Sequence, residues 1–122
     1  MNYDLTNDGM GKKYDNGKPL VGTLCRVFPH ALMAIGEVIE FGTHKYPTPD
    51  NWKKVDKAFI RYQDSMMRHY LKHQLGIIND EETGKLHLAH MAWNALAILE
   101  LYLMNENNGK CRKEHCEIDK NL

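Results

Sequence analysis

Two glutamates three residues apart, Glu37 and Glu40, carry the most chemical information in this chain. They interrupt Pro29-His-Ala-Leu-Met-Ala-Ile-Gly-Glu-Val-Ile-Glu-Phe-Gly42, a segment apolar on nearly every side. A helix brings residues three apart onto one face, so both carboxylates would share it. Acids among apolar neighbours need a reason, and a hard divalent cation, Mg²⁺ or Mn²⁺, is the usual one. The competing reading is a solvated Glu-x-x-Glu on an ordinary helix surface.

Further along, Arg61-Tyr-Gln-Asp-Ser-Met-Met-Arg-His69 places Asp64 and Arg68 four apart. They form an intrahelical ion pair, or Asp64 adds a third metal ligand while the planar cation of Arg68 meets a polyphosphate. His87, His90 and Asn94 then follow at offsets of three and four, on a stripe that continues as Ala97, Ile98 and Leu101. Two histidines and an asparagine in register can hold metal, phosphate or base, or orient water. Asp80, Glu81 and Glu82 precede them and suit a helix N-terminus, with Thr83 as its cap. His73 is read as structural or exposed. Lys13 and Lys18, in Gly11-Lys-Lys-Tyr-Asp-Asn-Gly-Lys-Pro19, belong to a charged turn or fold over an anionic ligand. Cys111-Arg-Lys-Glu-His-Cys116 is a poor zinc spacing. Neither a Walker loop nor a Cys-His nucleophile pair occurs.

Three helices must position these groups. The first is expected over about 30–41, entered through Pro29 and ended at Gly42. The second is expected over about 56–74 and stopped at Gly76. The third, over about 86–104, is apolar almost all round and so central or shared with another subunit. A loop at 43–52 holds Pro47 and Pro49, with Trp52 as its anchor. Few strand signals compete, which predicts an all-α helical bundle. The stretch 1–29 reads as an irregular N-terminal arm, 30–104 as the helical catalytic domain and 105–122 as a polar C-terminal tail. So much apolar surface on three principal helices predicts a homo-oligomer, a dimer or tetramer.

The chain has 122 residues, with Lys+Arg and Asp+Glu both numbering 16. Zero formal charge gives no global field toward nucleic acid or an anionic membrane. An odd set of cysteines (Cys25, Cys111, Cys116), a polar start and no bilayer-spanning run predict a cytoplasmic protein.

Several pieces together resemble a known family. They are Lys13-Tyr-Asp-x-Gly-Lys-Pro19, Glu37-Val-Ile-Glu-Phe-Gly-x-x-Lys-Tyr46, Asn51-Trp52, Asp64-x-x-x-Arg-His69, and Asp80-x-Glu-Thr-Gly-x-x-His-Leu-x-His90 with Asn94. In this order they are similar to the phage-encoded dATP/dGTP diphosphohydrolase domain, related to MazG-like all-α nucleotide pyrophosphohydrolases. The resemblance spans roughly residues 11–104. It implies an all-α homo-oligomer that uses a divalent metal to cleave a purine deoxynucleoside triphosphate to monophosphate and pyrophosphate. Glu37 and Glu40 match the Glu-x-x-Glu of the MazG-like pattern. Its Glu-x-x-Asp half is met by Arg61-x-x-Asp64, which keeps only the aspartate. His87-x-x-His90 keeps the spacing with histidine at both positions. Asp64 is the favoured third ligand, and His87 with His90 is the rival.

On this reading, metal held by Glu37, Glu40 and Asp64 polarises the α-phosphate and activates water. Lys45, Arg68, Lys13 and Lys18 neutralise pyrophosphate. His69, His87, His90 and Asn94 position water or phosphate. Tyr46 or Trp52 stacks on the base, beside Asn51. Two alternatives stand: a non-catalytic nucleotide-sensing module, and a His-rich phosphohydrolase using His69, Asp80, His87 and His90 that releases phosphate or triphosphate.

Overall fold

The computed structural model describes residues 9–48 and 50–108. Over these, the backbone forms four helices and one 3₁₀ turn: α1 (Val21–Val27), α2 (Pro29–Lys45), the turn Asn51–Lys54, α3 (Ala58–Gln74) and α4 (His87–Asn108). The described residues contain no strand, only an isolated bridge between Asn79 and Leu86, so the expected all-α class holds. No helix here is long and apolar enough to cross a membrane.

Local chemistry sets the boundaries. Pro29 opens α2 because its missing N–H costs nothing in a first turn. The helix does not stop at Gly42 as expected. It runs three residues further, since Gly42 lacks the positive φ of a helix-ending glycine. Pro47 ends it instead, by forcing Tyr46 out of the α region to φ −128°, ψ 86°. Gly76 does end α3, at φ +87°. Its N–H donates to the His73 carbonyl and that of Ile77 to the Lys72 carbonyl, the paired bonds of a Schellman cap. The arm also differs from expectation, because Val21–Val27 is helical inside the stretch read as irregular. At the other end, α4 continues past 104 to Asn108. Cys111 and Cys116 lie outside the described residues.

α4 is the central element and packs against both α3 and α2. Its inward stripe is His87, His90, Asn94, Ala97 and Leu101, all buried except the half-buried His90. Ile35 and Val38 of α2, Ala58 of α3 and Ala89 of α4 complete the small buried core. Alanines at 89 and 97 let neighbouring backbones approach closely, which brings the polar end of the stripe against α3.

Candidate functional site

A cleft of about 960 Å³ opens among α2, the 46–55 loop, α3 and the α3–α4 turn. Such a volume suits a nucleotide-sized ligand. Many residues singled out from the sequence line it: Lys45, Tyr46, Asn51, Trp52, Asp64, Arg68, His69, His90 and Asn94, together with Asp80, Glu82 and Thr83 of the α3–α4 turn.

One wall is aromatic. Trp52, Tyr62 and Trp93 meet with centroids 5.4 to 6.4 Å apart, two of the three pairs edge-to-face. The Tyr62 hydroxyl donates to the Trp52 carbonyl at 2.8 Å, which fixes the loop bearing Trp52 onto α3. Lys53 Nζ lies 5.5 Å from the Trp52 ring centroid, an additional cation–π contact. Trp52 was expected as an anchor. Tyr62 and Trp93 were not assigned to the site, although their aromatic character was the available signal.

The other wall is charged. Lys45, Arg61 and Arg68 supply cations, while Asp64, Asp80 and Glu82 supply carboxylates. Lys45 Nζ is ion-paired to Glu82 of the α3–α4 turn. Both groups are substantially exposed. The Glu82 bond, with a smaller contribution from Tyr46, raises the Lys45 pKa above its ordinary value.

The inner end is imidazole-rich. His69 Nδ1 and His87 Nδ1 are 2.8 Å apart, and the His69 and His90 rings stack at 4.6 Å with a 10° interplanar angle. Burial, reinforced by the neighbouring His90 and His87, pushes the His69 pKa down to about 4. Burial lowers that of His90 as well. These rings are therefore neutral bases near pH 7. Asp80 Oδ2 accepts the Thr83 N–H at 2.9 Å, and the Thr83 hydroxyl lies 2.7 Å from His90 Nε2. Burial would raise the Asp80 pKa, but the bonds from Thr83 outweigh it and the pKa falls. Thr83 thus ties the turn to the imidazole cluster, a role beyond the helix cap expected of it. Asn94 donates to the His90 carbonyl at 2.8 Å, while its buried Oδ1 has no partner.

Some residues singled out from the sequence stand elsewhere. Glu37 and Glu40 are exposed on α2 and neither lines the cleft. At about 100° per residue they fall on the side opposite Ile35 and Val38. Glu40 pairs with His44 at 2.5 Å. Asp64 alone of the expected Mg²⁺ set lies on the cleft wall, so one chain does not gather the three carboxylates around a single ion. The described group that does converge is His69, Asp80 and His87, whose ligand atoms all lie within 4.8 Å of one another. His87 is fully buried and does not line the cleft. Lys13 and Lys18 are exposed on the arm, outside the cleft lining.

A family model described as dATP/dGTP diphosphohydrolase, N-terminal, matches residues 8–111. No curated protein and no solved structure matches the chain.

Proposed function

The chain belongs to the dATP/dGTP diphosphohydrolase N-terminal family, and from that premise we propose that it hydrolyses a purine deoxynucleoside triphosphate to the monophosphate and pyrophosphate. One observation carries the reading: a single cleft joins an aromatic wall to a charged one that carries Lys45, Arg61 and Arg68. A purine seeks flat apolar surface, which Trp52, Tyr62 and Trp93 offer. A triphosphate seeks guanidinium and ammonium groups, which Arg61, Arg68 and Lys45 offer. The unpartnered Asn94 Oδ1 supplies a buried acceptor for a substrate N–H or O–H.

In the proposed reaction, water attacks the α-phosphorus and the bond from that phosphorus to the α–β bridging oxygen breaks. The bridging oxygen leaves with pyrophosphate, whose growing charge Arg68 and Arg61 neutralise. His69 and His90 are neutral and can accept a hydrogen bond from the attacking water. Mg²⁺ or Mn²⁺ enters this proposal as the counter-ion carried by the triphosphate, where it would neutralise phosphate charge. Asp64 is the carboxylate of the expected set that faces such a substrate.

A second copy of the chain is part of the proposal. Phe59, Met66, Ala95, Ile98, Leu99 and Tyr102 line an apolar groove along α3 and α4, and Leu99 is 53% exposed. A homo-oligomer would cover that surface.

The test is a panel of deoxy- and ribonucleoside triphosphates incubated with the full chain and Mg²⁺ or Mn²⁺, with products resolved by chromatography. Purine deoxynucleoside monophosphate plus pyrophosphate is expected. Inorganic phosphate or triphosphate as the released group would overturn the assignment, as would tight nucleotide binding without turnover.

A further inference from the structure

The imidazole cluster has a feature that hydrogen bonding alone does not explain. His87 is 0% exposed, yet its Nε2 has no hydrogen-bond partner. An imidazole buried only for packing would not forfeit a polar bond, because an unmet polar atom in the interior is costly. The ring's other nitrogen faces His69 Nδ1 at 2.8 Å. A hydrogen bond there requires one ring to donate and the other to accept. If His87 accepts, its neutral ring carries a proton on the orphaned Nε2. If it donates, Nε2 is left with an orphaned lone pair. Neither tautomer satisfies both nitrogens.

A carboxylate completes the group. Asp80 reaches it from the α3–α4 turn, held by the Thr83 N–H on Oδ2, with Gly84 at φ +71° closing the same turn. Three ligand atoms, one each from α3, the turn and α4, lie within 4.8 Å of one another. Bonds of about 2.0 to 2.2 Å from metal to nitrogen or oxygen set ligand atoms at most about 4.4 Å apart, so a small inward shift of these side chains would close the group on one ion. Residues around the ligands are themselves fixed. Thr83 touches both Asp80 and His90, and His90 stacks on His69. Metal sites typically show such support around their ligands.

We propose that His69, Asp80 and His87 form a binding site for a borderline divalent transition-metal ion of the Zn²⁺ or Co²⁺ class. Two imidazoles and one carboxylate suit such an ion better than Mg²⁺, which prefers oxygen ligands throughout. Three protein ligands leave a coordination position open, the pattern of catalytic rather than purely structural zinc. His69 and Asp80 line the cleft while His87 lies behind it, so the ion sits at the inner end of the cleft. This site is distinct from Glu37, Glu40 and Asp64 and does not depend on the identity of the nucleotide.

Cobalt binding to the full chain, stripped with chelator and free of nucleotide, tests the site. Stoichiometric ligand-field absorption, displaced by Zn²⁺, is expected. His69→Gln and Asp80→Asn should each abolish it while the helical circular dichroism stays intact. Both residues are only half-buried, so these variants avoid the folding risk of changing His87. Thr83→Val should weaken affinity about 10- to 100-fold. His44→Gln, which alters an exposed histidine of α2, should change nothing. Absence of cobalt bands in the wild type would overturn the proposal. So would bands that survive both ligand variants, or intense cobalt–thiolate charge-transfer bands, which would assign the ion to cysteine. Because no nucleotide is present, failure here leaves the hydrolase reading to stand or fall on its own products.

Discussion

Lys45, in the last turn of α2, is ion-paired to Glu82 in the α3–α4 turn, across 37 residues of sequence and along the lining of one cleft. The pair occupies a cation that a triphosphate would otherwise engage. Glu82→Gln should therefore lower KM for the nucleotide, and Lys45→Ala should raise it. Exposed ion pairs contribute about 0–1 kcal/mol, so thermal stability should hardly move in either variant. Steady-state kinetics paired with thermal melts separate these effects. An unchanged KM in both variants would remove Lys45 from substrate binding.

The aromatic wall sets a second expectation. Base stacking on an aromatic ring is worth about 1–3 kcal/mol, so Trp52→Ala should weaken nucleotide binding roughly 5- to 150-fold. Trp52→Phe should recover part of it. Tyr62→Phe keeps the ring but loses the bond to the Trp52 carbonyl, and should cost about 1 kcal/mol of stability. Calorimetric titration with a non-hydrolysable triphosphate analogue, alongside denaturant melts, would report both quantities.

Glu37 and Glu40 pose a different question, because they face away from the cleft of their own chain. If turnover requires these carboxylates, they act through a face of α2 brought to a site by a second copy of the chain. Glu37→Gln and Glu40→Gln should each abolish turnover while leaving nucleotide affinity within about twofold, since neither lines the cleft. Undiminished activity in both variants would dismiss them as solvated helix acids.

Acid should destabilise the metal-free chain through the imidazole cluster. The folded His69 pKa lies at about 4, against 6.5 for the free side chain. Between those values the unfolded chain binds a proton that the folded chain does not, so stability falls as pH drops from about 6.5 toward 4. Asp80, with its depressed pKa, adds a loss of the same sign as its carboxylate protonates. Urea melts across that interval, with chelator present, should show a declining midpoint that His69→Gln flattens.

Much of this arrangement is legible in the sequence. The offsets of three and four among His87, His90, Asn94, Ala97 and Leu101 gave the inward stripe of α4, because helical geometry alone fixes which residues share a face. Gly76 and Pro29 marked helix ends for reasons internal to the backbone. What spacing does not determine is which way a face points. Glu37 and Glu40 share a face as expected, but packing of Ile35 and Val38 against the rest of the core turns it outward. Gly42 has the residue type of a helix stop, yet glycine only permits a left-handed conformation and does not compel one. The approach of His69 to His87 and the ring cluster of Trp52, Tyr62 and Trp93 are tertiary contacts, set by how α3 lies on α4. Local periodicity does not encode that crossing.

The single stripe of α4 binds two requirements to one helical register. The same row of side chains that seals the interior at Leu101 and His87 lines the cleft at His90 and Asn94. Inserting one residue between His90 and Ala97 would rotate everything beyond it by about 100°, so core and site would lose register together. A change of length inside this helix is therefore a change of core and cleft at once.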